Sequence, residues 1–234
     1  MSDDLKKGLE GVLVAESALS DIDGDAGRLI YRGYTIEDLA REASYEEVLY
    51  LLWHGELPAA DDLEAFAEEM AGYRAVDDGV LDTVEELAAA EENPMAALRT
   101  ATSMLSAYDD GSEPGDRGAD LTRGMRITAK MPTIVAAYKR LRDGEAPVEP
   151  REDLSHAANF LYMLNGEEPD DTLAEVFDMA LVLHADHGIN ASTFAAMVTA
   201  STMSDIYSSV TSAIGTLKGG LHGGANQNVM RMLK

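Results

Sequence analysis

The chain contains no cysteine, which excludes disulfides, a thiolate metal site and a cysteine nucleophile, and fits an intracellular address. Cations are scarce: 18 Lys and Arg stand against 43 Asp and Glu, a formal net charge of −25 over 234 residues. Such a surface repels nucleic-acid phosphates and anionic membranes, so nucleic-acid binding is not expected. Long apolar runs are missing too. Residues 191–217 carry one charge, Asp205, but are broken by Ser and Thr and read as two buried helices instead of a membrane span. The opening Met1-Ser2-Asp3-Asp4 is acidic and lacks the apolar stretch of a signal peptide, so a cytoplasmic location is expected.

What is abundant is distributed acidity. Pairs such as Asp61-Asp62, Glu91-Glu92, Asp109-Asp110 and Asp170-Asp171 recur along the chain, where a single acidic tail would have marked disorder. A compact body of that charge repels itself, and high ionic strength relieves the repulsion, so the expectation is a halophilic protein. The 46% of hydrophobic residues suffice for a sizeable core.

One stretch carries a β pattern: Val12–Val14, Leu19–Ile22 and Leu29–Tyr31, with the turn-rich Asp23-Gly24-Asp25-Ala26-Gly27 between the last two. It reads as a small hairpin at the entrance of a helical body. Beyond it, Thr35 with Asp38 and Ser44 with Glu47 have capping-box spacing, and Gly55 and Pro58 end the second helix. Apolar stripes predict further helices near 60–74, 79–91, 94–108, 120–142, 152–164, 171–186, 191–203, 205–217 and 222–233. The fold class is all-α with a small N-terminal hairpin. The last stripe is still in register at Met230, Met232 and Leu233 with no cap, so the chain is expected to be part of a longer protein.

Histidine is rare, and three of the five cluster late: His184-Ala185-Asp186-His187-Gly188-Ile189-Asn190 and Lys218-Gly219-Gly220-Leu221-His222-Gly223-Gly224-Ala225-Asn226. Imidazole exchanges protons near neutrality without a shifted pKa, and glycine lets a ligand approach closely, so these stretches are the candidate site. His187, beside Gly188, is expected to face a cavity and donate to a carboxylate or carbonyl. His222, at the start of a predicted helix, is expected to be held neutral by the helix dipole and to polarise a carbonyl. His184, Asn190 and Asn226 are supporting candidates. A metal on His184, Asp186 and His187 is the competing reading, disfavoured because zinc helices use i, i+4 histidines with a third ligand. His54 reads as a helix-end histidine and His156 as a core or first-turn one.

These residues carry a specific resemblance. Gly8–Val12, Gly27–Tyr34, Leu51–Pro58, Ala129–Thr133, Asp153–Leu164 and both histidine motifs are similar to those of citrate synthases of the shorter bacterial and archaeal type, over essentially the whole chain, and the acidity points to a haloarchaeal member. The resemblance implies a multi-helical large domain, of which 1–234 would be an incomplete portion, a smaller domain that closes over substrates, and a homodimer. It implies condensation of acetyl-CoA with oxaloacetate and water to citrate and CoA, with no metal or cofactor. By the same resemblance His222 would be catalytic, at the thioester carbonyl, and His187 would hold oxaloacetate. The family's catalytic aspartate, second catalytic histidine and carboxylate-binding arginines have no counterpart within these residues. Gly220 stands where the family motif has proline. Two alternatives remain: 2-methylcitrate synthesis from propionyl-CoA, and a non-catalytic dicarboxylate-binding or dimerising subunit.

Overall fold

A computed structural model describes residues 15–109 and 115–223, together with Met232. Val12–Val14, the Gly8–Val12 stretch, Asn226 and most of the predicted 222–233 helix lie outside the described residues. The first elements among the described residues are β1 (Ser20–Asp23), β2 (Arg28–Tyr31) and β3 (Tyr34–Thr35), an antiparallel sheet in the order β1-β2-β3. The third strand is an addition to the predicted hairpin. Arg32 (φ 49°) and Gly33 (φ 96°) are both left-handed between the paired Tyr31 and Tyr34, a two-residue turn whose twist matches the strands it joins. Arg-Gly is a weaker signal for that turn than Asn-Gly, which is why the sequence pattern does not reveal it.

Helices follow: α1 (Ile36–Glu42), α2 (Tyr45–His54), α3 (Ala60–Gly72), α4 (Asp78–Ala89), α5 (Pro94–Met104) with a 3-10 turn over Leu105–Tyr108, α6 (Arg117–Arg142), α7 (His156–Asn165), α8 (Asp171–Leu183), α9 (Ala191–Ser201) and α10 (Ile206–Leu217). Their starts are set by local chemistry. Ser44 and Glu47 exchange side-chain hydrogen bonds with each other's backbone N–H, a complete capping box, and Gly55 ends α2 at φ 97°. At Thr35 only half of the box forms: its hydroxyl accepts from the Asp38 N–H, while the Asp38 carboxylate accepts from that hydroxyl. α7 begins at His156, four residues after the predicted start, because Ser155 takes the cap and the segment before it is pinned. Arg74, buried, donates to the carbonyls of Arg151 (2.5 Å) and Leu154 (2.8 Å).

α6 is the axis of the body, roughly 39 Å long by its 26 residues. It buries Met125, Ile127, Ala129, Ile134, Ala136, Ala137 and Tyr138 on several faces, as a helix surrounded by others must. One core joins it to α4, α5 and α10; a second, through Leu49, Phe66 and Met70, joins it to α2 and α3; a third packs Tyr31, Leu39, Val48, Leu51 and Val182 between the sheet and α1, α2 and α8. Each fully buried aliphatic side chain contributes about 1.5–3 kcal/mol. The Asp109 carboxylate, largely shielded from solvent, accepts from Arg123 (2.6 Å) and Arg126 (3.2 Å) and ties the 3-10 turn to α6.

α9 and α10 form an antiparallel pair across a short connection in which Met203 is left-handed (φ 64°) and Asp205 caps α10. The expectation of two buried helices is corrected. α10 buries Tyr207, Ser209 and Ile214, whereas no residue of α9 is buried, because α9 packs mainly on α10 and leaves Met197 and Val198 outward. Among the described residues no helix is long and apolar enough to cross a membrane.

Candidate active site

The α9–α10 hairpin decides where the candidate residues meet. Because α10 returns alongside α9, the turn after α10 lies beside the first turn of α9, and the loop that precedes α9 enters the same place. α8 was expected to run to residue 186 but stops at Leu183, where His184 takes φ −109° and places its Nδ1 2.7 Å from the carbonyl oxygen of Ala180. A carbonyl only accepts, so Nδ1 carries the proton and Nε2 stays open. The His184 ring stands edge-on to that of His187, with 5.9 Å between centroids, and both are exposed.

Asp186 holds the loop. Its Oδ2 accepts both the Ser20 hydroxyl and the Gly188 N–H (2.8 Å); its backbone carbonyl accepts from the Tyr31 hydroxyl (2.9 Å) and its N–H donates back to that hydroxyl (3.1 Å). Burial, the largest influence, raises the Tyr31 phenol above its ordinary pKa, so it acts as a neutral donor. Gly188 is left-handed (φ 64°), a conformation open to glycine at no steric cost. Asn190 caps α9, its side chain accepting the Thr193 N–H at 3.0 Å.

His222 lies in a glycine turn beyond α10, its N–H donating to the Gly219 carbonyl at 2.9 Å. A side chain at Gly223 would run into the Leu217 carbonyl, so glycine is required there; at Gly220 a Cβ would meet nothing within 4 Å, and the departure from proline leaves His222 in register. The half-buried His222 ring places Nε2 2.7 Å from the hydroxyl of Ser192, in the first turn of α9. With that hydroxyl as donor, the ring proton sits on Nδ1, which is then free to donate outward. Ser192 is a residue that sequence reasoning missed. Its partner is thirty positions away, and no local spacing announces the pair.

So the described residues bring His222, Ser192 and Asn190 to the start of α9, with His184 and His187 on the loop leading into it. The metal reading does not fit this geometry: His184 Nδ1 is spent on its own helix and Asp186 Oδ2 on Ser20 and Gly188. Among the described residues no group of three or more metal-ligating side chains comes together.

A second polar cluster lies elsewhere. The Glu46 carboxylate accepts the His156 N–H (2.8 Å), and Asp178 on α8 accepts the Tyr45 N–H (3.1 Å). Burial, then Arg74, pushes the His156 imidazole down to about 3; burial, then the Glu46 charge, pushes the Asp178 carboxyl up to about 6. His156, Tyr45, Trp53, Met131, Phe160 and Phe177 border a mostly apolar cavity of about 580 Å3. That cavity includes none of His184, His187 and His222. A neutral imidazole among aromatic rings offers no acid–base pair, so the histidine loop is the better candidate for chemistry. His54, as expected, is the last residue of α2, stacked on Tyr50.

Residues 8–234 match the family model described as citrate synthase, C-terminal domain. The chain is 68% identical over 237 aligned positions to the citrate synthase of Haloferax volcanii, covering 100% of this chain and 62% of that protein. The solved citrate synthase of Pyrobaculum aerophilum superposes with a TM-score of 0.90 at 45% identity, covering 96% of this chain and 58% of that one. The Thermoplasma acidophilum citrate synthase, solved as a ternary complex with carboxymethyl coenzyme A and oxaloacetate, superposes with a TM-score of 0.89 at 31% identity, covering 95% of this chain and 58% of that one. The chain thus spans about three fifths of the length of the curated relatives it matches.

Proposed function

The chain belongs to the citrate synthase family, and we propose that the protein containing it condenses acetyl-CoA with oxaloacetate and water to give citrate and CoA. The 68% identity over the whole chain to a citrate synthase carries this reading. The same observation favours acetyl-CoA over propionyl-CoA as the acyl donor. The chemistry asks for a neutral donor at the thioester oxygen as the acetyl methyl group loses a proton. His222 suits that role with Ser192, 2.7 Å from its Nε2, assigned as the donor in that contact, an arrangement that leaves the proton on Nδ1. His187, exposed on the loop before α9, is assigned to oxaloacetate, with His184, Asn190 and Asn226 in support. No residue of 1–234 is assigned as the base that takes the methyl proton or as an arginine that clamps carboxylates. These functions are expected from the remaining two fifths of the family's length.

In this reading residues 1–234 form part of the large domain, the enzyme is a cytoplasmic homodimer, and neither metal nor cofactor takes part. The apolar side chains exposed on α8, among them Leu173, Val176 and Met179, support further packing by the assembled enzyme. The charge of −25 supports halophily. The test is CoA release by the full-length protein, with a thiol reagent as the indicator. Acetyl-CoA with oxaloacetate is expected to release CoA faster than propionyl-CoA with oxaloacetate. His222→Ala is expected to lower kcat by about 10²–10³-fold, as loss of one oxyanion donor does elsewhere. Faster turnover of propionyl-CoA would select 2-methylcitrate synthesis, and no release from either would leave the non-catalytic reading.

A further inference from the structure

The N-terminal sheet touches the histidine loop at more points than a surface flap requires. Tyr31 at the end of β2 is fully buried in the core shared with Val182, yet its hydroxyl emerges at Asp186, bonding both the N–H and the carbonyl of that one residue. Ser20 at the start of β1 donates to Asp186 Oδ2, the same oxygen that accepts the Gly188 N–H. Ile22 of β1 closes over Gly188, where an added Cβ would stand 3.5 Å from its Cδ1. His187 sits between the two residues so held. A loop of glycine and exposed histidine has little packing of its own, and the sheet supplies what its sequence lacks.

We propose that Tyr31, Ser20 and Asp186 are positioning residues for His187: the sheet fixes the Asp186–Gly188 backbone and thereby sets the direction in which the imidazole meets oxaloacetate. This rests on the assignment of His187 to oxaloacetate given above. Asp186 acts through hydrogen bonds accepted by one oxygen and contributes no charge to the substrate. Ser20 and Tyr31 act through it, without touching substrate.

Steady-state kinetics of the full-length enzyme test this, with the melting temperature recorded for each variant. Tyr31→Phe keeps the buried ring and removes the hydroxyl, and it should raise KM for oxaloacetate on the order of 5–10-fold. Both kcat and KM for acetyl-CoA should stay within about 2-fold, since an interaction made alike in ground and transition states is read in KM. Ser20→Ala, at the sheet's edge, should shift oxaloacetate KM the same way by a smaller factor. Asp186→Asn retains an oxygen able to accept both donors and should keep the wild-type KM, whereas Asp186→Ala should not. An unchanged oxaloacetate KM in Tyr31→Phe and Ser20→Ala, in an enzyme that turns over normally, overturns the inference and leaves the function intact. Equal damage from Asp186→Asn and Asp186→Ala would also overturn it, by making the carboxylate charge a direct participant. So would a melting-temperature loss accompanied by equal changes in every kinetic constant. Absence of condensation by the wild-type protein would remove the functional reading and the inference with it.

Discussion

At the scale of single residues, the pairing of His222 with Ser192 is the most consequential contact. A histidine in a glycine turn has many rotamers; one hydrogen bond at 2.7 Å selects among them, and with the Ser192 hydroxyl as its donor the ring proton is left on Nδ1. Ser192→Ala leaves Nε2 without that partner, so kcat is expected to fall by about 3–10-fold, the worth of one net hydrogen bond. Ser192→Thr, which keeps the hydroxyl, should recover most of it. The split of kinetic constants separates this from a packing effect, because a general loss of packing should move the melting temperature and KM for oxaloacetate together with kcat. An Ala variant with wild-type kcat would show that His222 is oriented by something else.

Among the elements, the contact between α8 and the start of α2 carries a titration. Asp178 reaches from α8 to the Tyr45 N–H, and burial with the nearby Glu46 raises its carboxyl from 3.8 to about 6. Between those values the folded chain binds more protons than the unfolded one. This part of the stability is therefore complete below about pH 4, declines as pH rises to about 6, and is flat above. Asp178→Asn keeps an acceptor for Tyr45 and removes the charge. It should stabilise by about 1–2 kcal/mol at pH 7, discounted for the group's partial exposure, and the gain should vanish below pH 4. Urea melts of both proteins at pH 4 and pH 7 decide it, and a difference independent of pH would assign the effect to packing. On the same helix pair, Ser44→Ala breaks the capping box and is expected to cost about 1 kcal/mol in the same assay.

For the whole molecule, the governing quantity is a charge of −25. Screening shortens from about 10 Å at 0.1 M salt to about 3 Å at 1 M, so repulsion across the body is largely removed. The melting temperature should rise on going from 0.1 M to molar KCl, by about 2–4 °C for each kcal/mol relieved. Such ion pairs as Arg28–Asp21 are exposed and offer little to lose in return. A flat or falling melting temperature over that range would show that acidity here is not a liability that salt offsets. Light scattering of the full-length protein at high salt should give twice the mass of one chain, and a monomer would remove the homodimer from the proposal.

Much of this was legible in the residues alone. Helix starts at Ser44 and ends such as Gly55 are local events, settled by a side chain and the next turn of backbone, and the periodic stripes of α6 and α7 report burial directly. The family was readable because its histidine motifs are contiguous strings. What the residues did not show is what distance in sequence hides. β3 depends on a left-handed Arg32 that only the closing sheet enforces, and α8 stops at Leu183 because Asp186 is drawn to Tyr31, 155 positions away. The residues by themselves determined an acidic, cysteine-free, helical member of a known family, and they singled out His187 and His222 as the candidates for its chemistry. Only the tertiary structure decided which hydroxyls hold those stretches, since Ser192, Ser20 and Tyr31 gain their meaning from hydrogen bonds that exist once helices and sheet have packed.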